Sequence, residues 1–279
     1  MFIEIVKFII YSALIVLISK YILVVTLRKL AESLQLKAKT IGNIAGYATS
    51  VPEFLTIIAS SLRGLTGASI YNILSSNTIN FIQYMSTIIL NKNIKALKNR
   101  AIKTELILVI ITIVVPIIFI KANVKFDLSI VLLFIICYIL FIFISNTVHR
   151  LYLNNEDTKI SGKIEEKKTK KDKIKIVKYV VILIFTGIFL FIIGELLGNT
   201  LENLCNIFDV SQVVVGVLLG LMTSLPELIT FFEAQRHHKN NENNMLGVVE
   251  ATNNLLTSNI LNLFVIQSIG IIVLYLVGI

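Results

Sequence analysis

Eight apolar segments follow one another along the chain, separated by polar stretches that carry most of its charged residues. They cover residues 2–26, 40–62, 68–90, 104–120, 127–148, 177–200, 210–233 and 245–278. Most reach the ~20 residues that a helix needs to cross the ~30 Å hydrocarbon core of a bilayer. The pattern therefore predicts an all-α, multi-pass membrane protein with eight transmembrane spans.

Two of these segments contain the same polar motif. Residues 49–53 read Thr-Ser-Val-Pro-Glu, and residues 223–227 read Thr-Ser-Leu-Pro-Glu. A carboxylate at bilayer depth is costly and a proline there frees a backbone carbonyl, so both features indicate a functional site. We interpret the two motifs as the two halves of one cation site in a transporter.

The repeat extends into the segment that follows each motif. A shift of 174 residues aligns the motifs, and a shift of 182 aligns the polar positions beyond them. The difference falls in the polar stretch 236–244, where an insertion is tolerated. The aligned pairs indicate an internal duplication; they are Gly46 and Gly220, Thr49 and Thr223, Ser50 and Ser224, Pro52 and Pro226, Glu53 and Glu227, Thr56 and Thr230, Asn72 and Asn254, Ser76 and Ser258, Asn77 and Asn259, and Asn80 and Asn262.

The repeated residues have the chemistry of a site for a hard cation. Glu53 follows Thr49 by four residues and Ser50 by three, so the three side chains share one face of a helix. Ser76 and Asn80 are one turn apart on the next helix. Carboxylate, carbonyl, amide and hydroxyl oxygens are typical ligands of Ca²⁺, and Na⁺ accepts similar ligands at lower charge.

The composition agrees with a membrane protein, because 56% of the 279 residues are hydrophobic and only 15% are charged, against about a quarter in soluble proteins. The net charge of +9 comes from basic residues that concentrate in alternate loops. The positive-inside rule explains this charge without nucleic acid. It predicts a protein of the cell (plasma) membrane with its N-terminus outside and its central basic loop cytoplasmic.

That central basic loop, at residues 149–176, divides the chain into two halves. Five spans precede it in residues 1–148, and three spans follow it in residues 177–279. Because five is an odd number, the second half enters the membrane with the opposite orientation. The sequence therefore predicts an inverted-topology repeat.

The two repeats, at about residues 46–83 and 220–265, resemble the two alpha repeats of the sodium/calcium exchanger family, within the cation/calcium antiporter superfamily. The resemblance implies exchange of Ca²⁺ for Na⁺ by alternating access, at a site near the bilayer midplane. It also implies ten helices in two inverted groups of five, with the first helix of each group sliding past the others. The ion ligands that it implies are Thr49, Ser50, Glu53, Ser76, Asn80, Thr223, Ser224, Glu227, Ser258 and Asn262.

Two features depart from the family pattern. Asn262 stands where many prokaryotic relatives carry an acid, so this site has two carboxylates, those of Glu53 and Glu227. The sequence also ends at Ile279, just after the eighth span, so we expect the ninth and tenth helices of the family to be missing from it.

Other functions fit the same residues. Protonation of Glu53 or Glu227 in place of sodium binding would give H⁺/Ca²⁺ exchange, and the alternatives outside exchange are a passive cation channel and a non-transporting remnant. The sequence has no nucleotide-binding loop or nucleophile triad, so we predict neither an enzyme nor a cofactor. The expected partners are Ca²⁺ and Na⁺ as substrates and the lipid bilayer; a homo-oligomer is compatible with the sequence, and nucleic acid is not expected.

Three further acids lie outside the ion-site pattern. Glu250 aligns with Ala68, and we predict an interfacial position for it. Glu195 and Glu202 flank the outer end of the sixth span, where we expect a solvated helix end.

Overall fold

The computed structural model describes residues 2–34, 36–122, 124, 127–152, 170–239 and 244–278. Every regular element within these ranges is helical, which confirms the all-α class. The twelve α-helices are α1 Phe2–Ile18, α2 Val25–Ser33, α3 Ala38–Thr49, α4 Val51–Leu62, α5 Thr66–Leu90, α6 Arg100–Lys121, α7 Leu128–Tyr152, α8 Lys170–Glu202, α9 Gln212–Thr223, α10 Leu225–Lys239, α11 Asn244–Ile260 and α12 Gln267–Val277.

These helices join into eight long helical stretches, which correspond to the eight predicted segments. Turns of π-helix at Ser19–Val24 and Leu261–Ile266 connect α1 to α2 and α11 to α12, and a third at Asn203–Ile207 extends α8. Six stretches are long and apolar enough to cross a membrane: Phe2–Leu30, Arg100–Lys121, Leu128–Tyr152, Lys175–Ile207, Gln212–Arg236 and Asn244–Val277. The other two, α3–α4 and α5, carry the polar residues of the first repeat. The structure therefore agrees with a multi-pass membrane protein.

The two motifs break their helices at equivalent residues. Ser50 separates α3 from α4 with φ −81° and ψ −1°, and Ser224 separates α9 from α10 with φ −79° and ψ −4°. Pro52 and Pro226 are the second residues of the helices that follow, where the missing amide hydrogen is tolerated. Each break leaves a carboxylate in the first turn of a new helix.

Glycines allow two pairs of helices to cross closely. A Cβ atom at Gly46 of α3 would lie 2.8 Å from the Asn254 carbonyl oxygen of α11. At Gly216 of α9, a Cβ atom would lie 2.6 Å from the Ala68 carbonyl oxygen of α5. Small residues four positions apart permit such backbone contact between membrane helices, and Gly42 and Gly220 complete the two pairs. The crossings bring the polar faces of α5 and α11 against the two broken helices.

Two apolar clusters flank this polar centre. One contains residues of the four helices from α4 through α7 and of the three helices from α10 through α12. It includes the fully buried Tyr84, Phe134 and Phe231. The other packs α1 and α8 against α4 and α9. Large hydrophobic side chains also cover the outer faces of α6, α7 and α8, as expected for surfaces in contact with lipid. The polar residues of the repeats are thus enclosed by apolar packing.

The two ends of the bundle differ in charge. The connections α2–α3, α5–α6 and α10–α11 lie at one end, which we call the basic end; there, Lys39 Nζ donates to the Ser145 carbonyl at 3.3 Å and Asn93 Nδ2 donates to Gln235 Oε1 at 3.0 Å. Helices α7 and α8 extend into the predicted loop 149–176, to Tyr152 and from Lys170. The rest of that loop lies outside the described residues.

Candidate ion-binding site

The two motif carboxylates lie at equivalent positions in the centre of the bundle. Glu53 is the third residue of α4 and Glu227 is the third residue of α10, and both side chains are fully buried. The first turn of a helix favours a carboxylate because the unpaired amide groups there carry partial positive charge. The two carboxylates are close enough to repel each other. A cation between them would relieve this repulsion.

Hydroxyl groups from both halves surround Glu227. Ser258 Oγ donates to Glu227 Oε1 at 3.0 Å and lies 3.0 Å from Ser50 Oγ. Ser50 Oγ is also 2.9 Å from the Gly46 carbonyl oxygen, which holds it at the end of α3. The Thr49 hydroxyl is 3.5 Å from Asn254 Oδ1. Residues far apart in sequence thereby share one environment.

Both repeats likewise provide hydroxyl groups around Glu53. Ser76 Oγ and Thr223 Oγ1 lie beside this carboxylate and are 3.3 Å from each other. Ser224 Oγ donates to the Gly220 carbonyl at 2.7 Å and lies 3.4 Å from the Ser76 carbonyl. Residues at equivalent positions of the two repeats therefore surround the two carboxylates, although their individual hydrogen bonds differ.

A further layer of hydrogen bonds is the same in both halves. Thr56 Oγ1 donates to the Glu53 carbonyl at 2.9 Å and accepts from Asn72 Nδ2 at 2.7 Å. Thr230 Oγ1 donates to the Glu227 carbonyl at 2.9 Å and accepts from Asn254 Nδ2 at 2.6 Å. These bonds tie each carboxylate-bearing turn to the next membrane stretch of its own half.

Asn77 and Asn259 join the two halves directly. Asn77 Nδ2 donates to the Asn259 carbonyl at 3.1 Å, and Asn259 Nδ2 donates to the Asn77 carbonyl at 3.1 Å. Neither side chain is among the predicted ligands. These bonds link α5 to α11, and the two residues are one of the pairs that the internal repeat aligns.

Five buried oxygens in this centre accept no hydrogen bond from the described part of the chain. They are Glu53 Oε1 and Oε2, Glu227 Oε2, Asn80 Oδ1 and Asn262 Oδ1. The amide groups of the two asparagines are held elsewhere, since Asn80 Nδ2 donates to Asn259 Oδ1 at 3.3 Å and Asn262 Nδ2 donates to Asn77 Oδ1 at 3.2 Å. Buried acceptors without donors are costly. A cation bound among them would give these acceptors a partner.

The structure brings all ten predicted ligands into this centre, and every one is buried. One difference separates the halves: Asn80 lies within α5, whereas Asn262 lies in the π-helical turn Leu261–Ile266. A π-turn widens a helix locally and often occurs at functional sites. No three His, Cys, Asp or Glu side chains gather anywhere in the described ranges, so the oxygens come from two carboxylates and from neutral groups.

Glu250 is only 4% exposed and pairs with Arg28 at 3.1 Å, so neighbouring helices enclose it; its position at the membrane interface stays a prediction. The acids at the outer end of the sixth span are ion-paired too: Glu195 and Glu202 each approach Arg63 to 3.5 Å. Ion pairs between distant helices depend on tertiary packing, so spacing along the sequence does not reveal them.

One further buried acid was missed by the sequence analysis. Glu105 of α6 is fully buried, and its Oε1 accepts from Ser145 Oγ of α7 at 3.3 Å. Lys39 of α3 interacts electrostatically with this carboxylate. The only signal in the sequence was the position of Glu105 at the border of an apolar segment. This group lies outside the ten-residue centre.

The chain matches the family model described as "Sodium/calcium exchanger protein" over residues 5–147 and 178–278. Among solved structures, the sodium-calcium exchanger NCX_Mj soaked with 10 mM Na⁺ and 10 mM Sr²⁺ is similar at a TM-score of 0.55 and 22% identity, covering 98% of this chain and 83% of that one. An H⁺/Ca²⁺ exchanger, CAX, is similar at a TM-score of 0.61 and 14% identity, covering 96% and 69%. A search of curated proteins found no match.

Proposed function

The chain belongs to the sodium/calcium exchanger family, and from this premise we propose that it exchanges Ca²⁺ for Na⁺ across a membrane by alternating access. The observation that supports the proposal is the group of five buried oxygens without hydrogen-bond donors, drawn from both repeats. A group of acceptors alone, with two negative charges, suits a cation and neither an anion nor an apolar molecule.

The ten residues divide into charged and neutral ligands. Glu53 and Glu227 neutralise a dication, and the amide oxygens of Asn80 and Asn262 complete its inner contacts. Ca²⁺ takes about six to eight oxygens. The neutral remainder comes from six hydroxyl groups, those of Thr49, Ser50, Ser76, Thr223, Ser224 and Ser258.

Exchange follows from competition for the same two charges. One Ca²⁺ or a set of Na⁺ ions neutralises Glu53 and Glu227, and the neutralised site crosses between the two sides of the membrane at lower cost than the charged one. The helix interruptions at Ser50 and Ser224 would make this motion local, because each hydroxyl-bearing end connects to its carboxylate through a turn residue between two helices.

The organisation of the chain belongs to the same proposal. Residues 1–148 and 177–279 form two halves of opposite orientation, joined by the basic loop 149–176 in the cytoplasm. The N-terminus then lies outside the plasma membrane. The gathering of basic connections at one end of the bundle supports this orientation.

A second candidate is H⁺/Ca²⁺ exchange. Within the described residues, neither Glu53 nor Glu227 has a cationic side chain as its partner. A proton on either carboxylate would therefore neutralise the site as sodium does. The two candidates share the Ca²⁺ site and differ in the coupling ion.

The test is ⁴⁵Ca²⁺ uptake into proteoliposomes loaded with Na⁺, with K⁺ or with an acidic buffer. Sodium coupling predicts uptake only from Na⁺-loaded vesicles. Uptake driven by the proton gradient alone selects the second candidate. Uptake that follows the calcium gradient without either counter-ion indicates a channel and contradicts exchange.

A further inference from the structure

A buried ion pair lies near the basic end of the bundle, outside the ten-residue centre. Arg28 of α2 places Nη2 3.1 Å from Glu250 Oε1 of α11, with side chains 18% and 4% exposed. Arg28 Nη1 is also 3.7 Å from Glu233 Oε2 of α10. One guanidinium group therefore connects three separate membrane stretches.

This pair stands between the basic end and the ion site. Glu250 precedes Ser258 by eight residues, or about 12 Å along α11, and Glu233 follows Glu227 by six residues, or about 9 Å along α10. A narrow cavity lined by Arg28, Glu250 and Thr230 lies in this interval. Thr230 donates to the Glu227 carbonyl, so the cavity borders the turn that carries this carboxylate.

The interval is also polar along α11. Asn253 faces α3 beside Gly42, and its Oδ1 is buried without a hydrogen bond from the described residues. Thr257 Oγ1 donates to Asn43 Oδ1 at 3.1 Å. Polar side chains therefore continue from Glu250 towards Ser258, in a region that apolar packing would otherwise close.

The internal repeat gives this acid no acidic counterpart in the first half. The counterpart of Glu250 is Ala68, which is fully buried at the opposite end of the bundle. The ion pairs at that end are arranged the other way round. There the acids Glu195 and Glu202 lie on α8, the first helix of its half, and the arginine Arg63 lies on α4, whereas at the basic end the arginine lies on α2. Among the described ion pairs, Glu250 near the basic end is 4% exposed, whereas Glu195 and Glu202 at the opposite end are 43% and 49% exposed.

We propose that Arg28 and Glu250 form a gate that closes the route from the basic end to the ion site. The inference rests on the proposed exchange function. While the gate is closed, the guanidinium group occupies the place of a cation at Glu250 and holds α2 against α11. When α2 moves away, Glu250 is left as an anionic contact that a cation meets about 12 Å before Ser258.

The test measures access to the cavity rather than transport. Ala45 lines the same cavity. In a variant that lacks Cys137 and Cys205, the rate at which a charged, membrane-impermeant maleimide labels Ala45→Cys measures access to this cavity. Right-side-out and inverted vesicles expose opposite faces of the protein to the reagent. Labelling of a separate variant, Lys95→Cys, shows in which vesicles the basic end is exposed, because Lys95 is an exposed residue of the α5–α6 connection. In R28Q/E250Q, which removes both charges and leaves neither unpaired, we expect labelling from the basic end to be roughly tenfold faster.

Three comparisons make the result specific. Arg28→Lys keeps the charge and should restore most of the slow labelling, and Arg63→Gln, at the opposite end, should leave labelling from the basic end unchanged. An unchanged rate in a double variant with a normal size-exclusion profile would overturn the gate, as would an equal increase from both faces. Calcium uptake by the unmodified chain tests the exchange function separately, so the two failures are distinguishable.

Discussion

At the scale of single residues, the notable feature of the site is that it carries two charges and two amides. Asn80 and Asn262 each direct an unbonded oxygen into the centre while their amide groups bind Asn259 and Asn77. In the proposed site the asparagines would therefore supply ligands and connect the halves at the same time. An acid at either position would keep the oxygen, add a charge and lose the connecting bond.

We predict that Asn262→Asp strengthens Ca²⁺ binding by about tenfold, because affinity rises with the number of charged ligands. Without Ca²⁺ the variant should be less stable than the parent, since three carboxylates then repel one another and the bond to Asn77 is lost. Thermal unfolding of the purified protein with and without Ca²⁺ measures both effects. Asn93→Asp, at the basic end, is the matched control. A Ca²⁺-dependent rise in Tm no larger than that of the parent would contradict this role for Asn262.

At the scale of elements, two close crossings hold the broken helices in place. The α3–α11 and α9–α5 contacts both depend on glycines that leave no room for a side chain. The proposed hydroxyl ligands lie three and four residues after Gly46 and Gly220, so a shift of either crossing would move them. Packing between helices and ion binding are therefore coupled.

We expect Gly46→Ala to destabilise the protein by about 1–3 kcal/mol, the usual cost of overpacking a close contact. Gly187→Ala is the matched control, because nothing lies within 4 Å of a Cβ atom there. The control should leave stability unchanged or raise it by up to about 1 kcal/mol, since alanine favours a helix. Thermal stability by size exclusion compares the two. Equal Tm values for both variants would be evidence against the crossing.

Part of this arrangement could be predicted from the sequence. Proline and serine in the two motifs indicate the helix breaks, and the repeat itself indicates which residues meet. The pairs Arg28–Glu250 and Ser145–Glu105 could not be predicted, because their partners come from unrelated segments and have no counterpart in the repeat. The hydrophobic pattern did identify α3–α4 and α5 among the eight predicted spans, although their polar residues keep them out of the six stretches that length and composition select in the structure.

At the scale of the whole molecule, the site exists only where the two halves meet. Ser50 of the first half reaches Ser258 of the second, and Ser76 lies against Thr223. The asparagine links cross the same boundary. Neither half alone holds the ten groups together, so the proposed site depends on one carboxylate from each half.

Calcium titration of the purified chain by calorimetry tests this claim most directly. We predict saturable binding to a single class of site, and a loss of affinity of roughly 100-fold or more in Glu53→Gln and in Glu227→Gln, because each removes half of the negative charge in a buried site. Glu233→Gln should bind as the parent does, since that carboxylate lies on the same helix as Glu227 and is 49% exposed. Binding that persists unchanged in either glutamine variant at position 53 or 227 would contradict a site shared between the two halves.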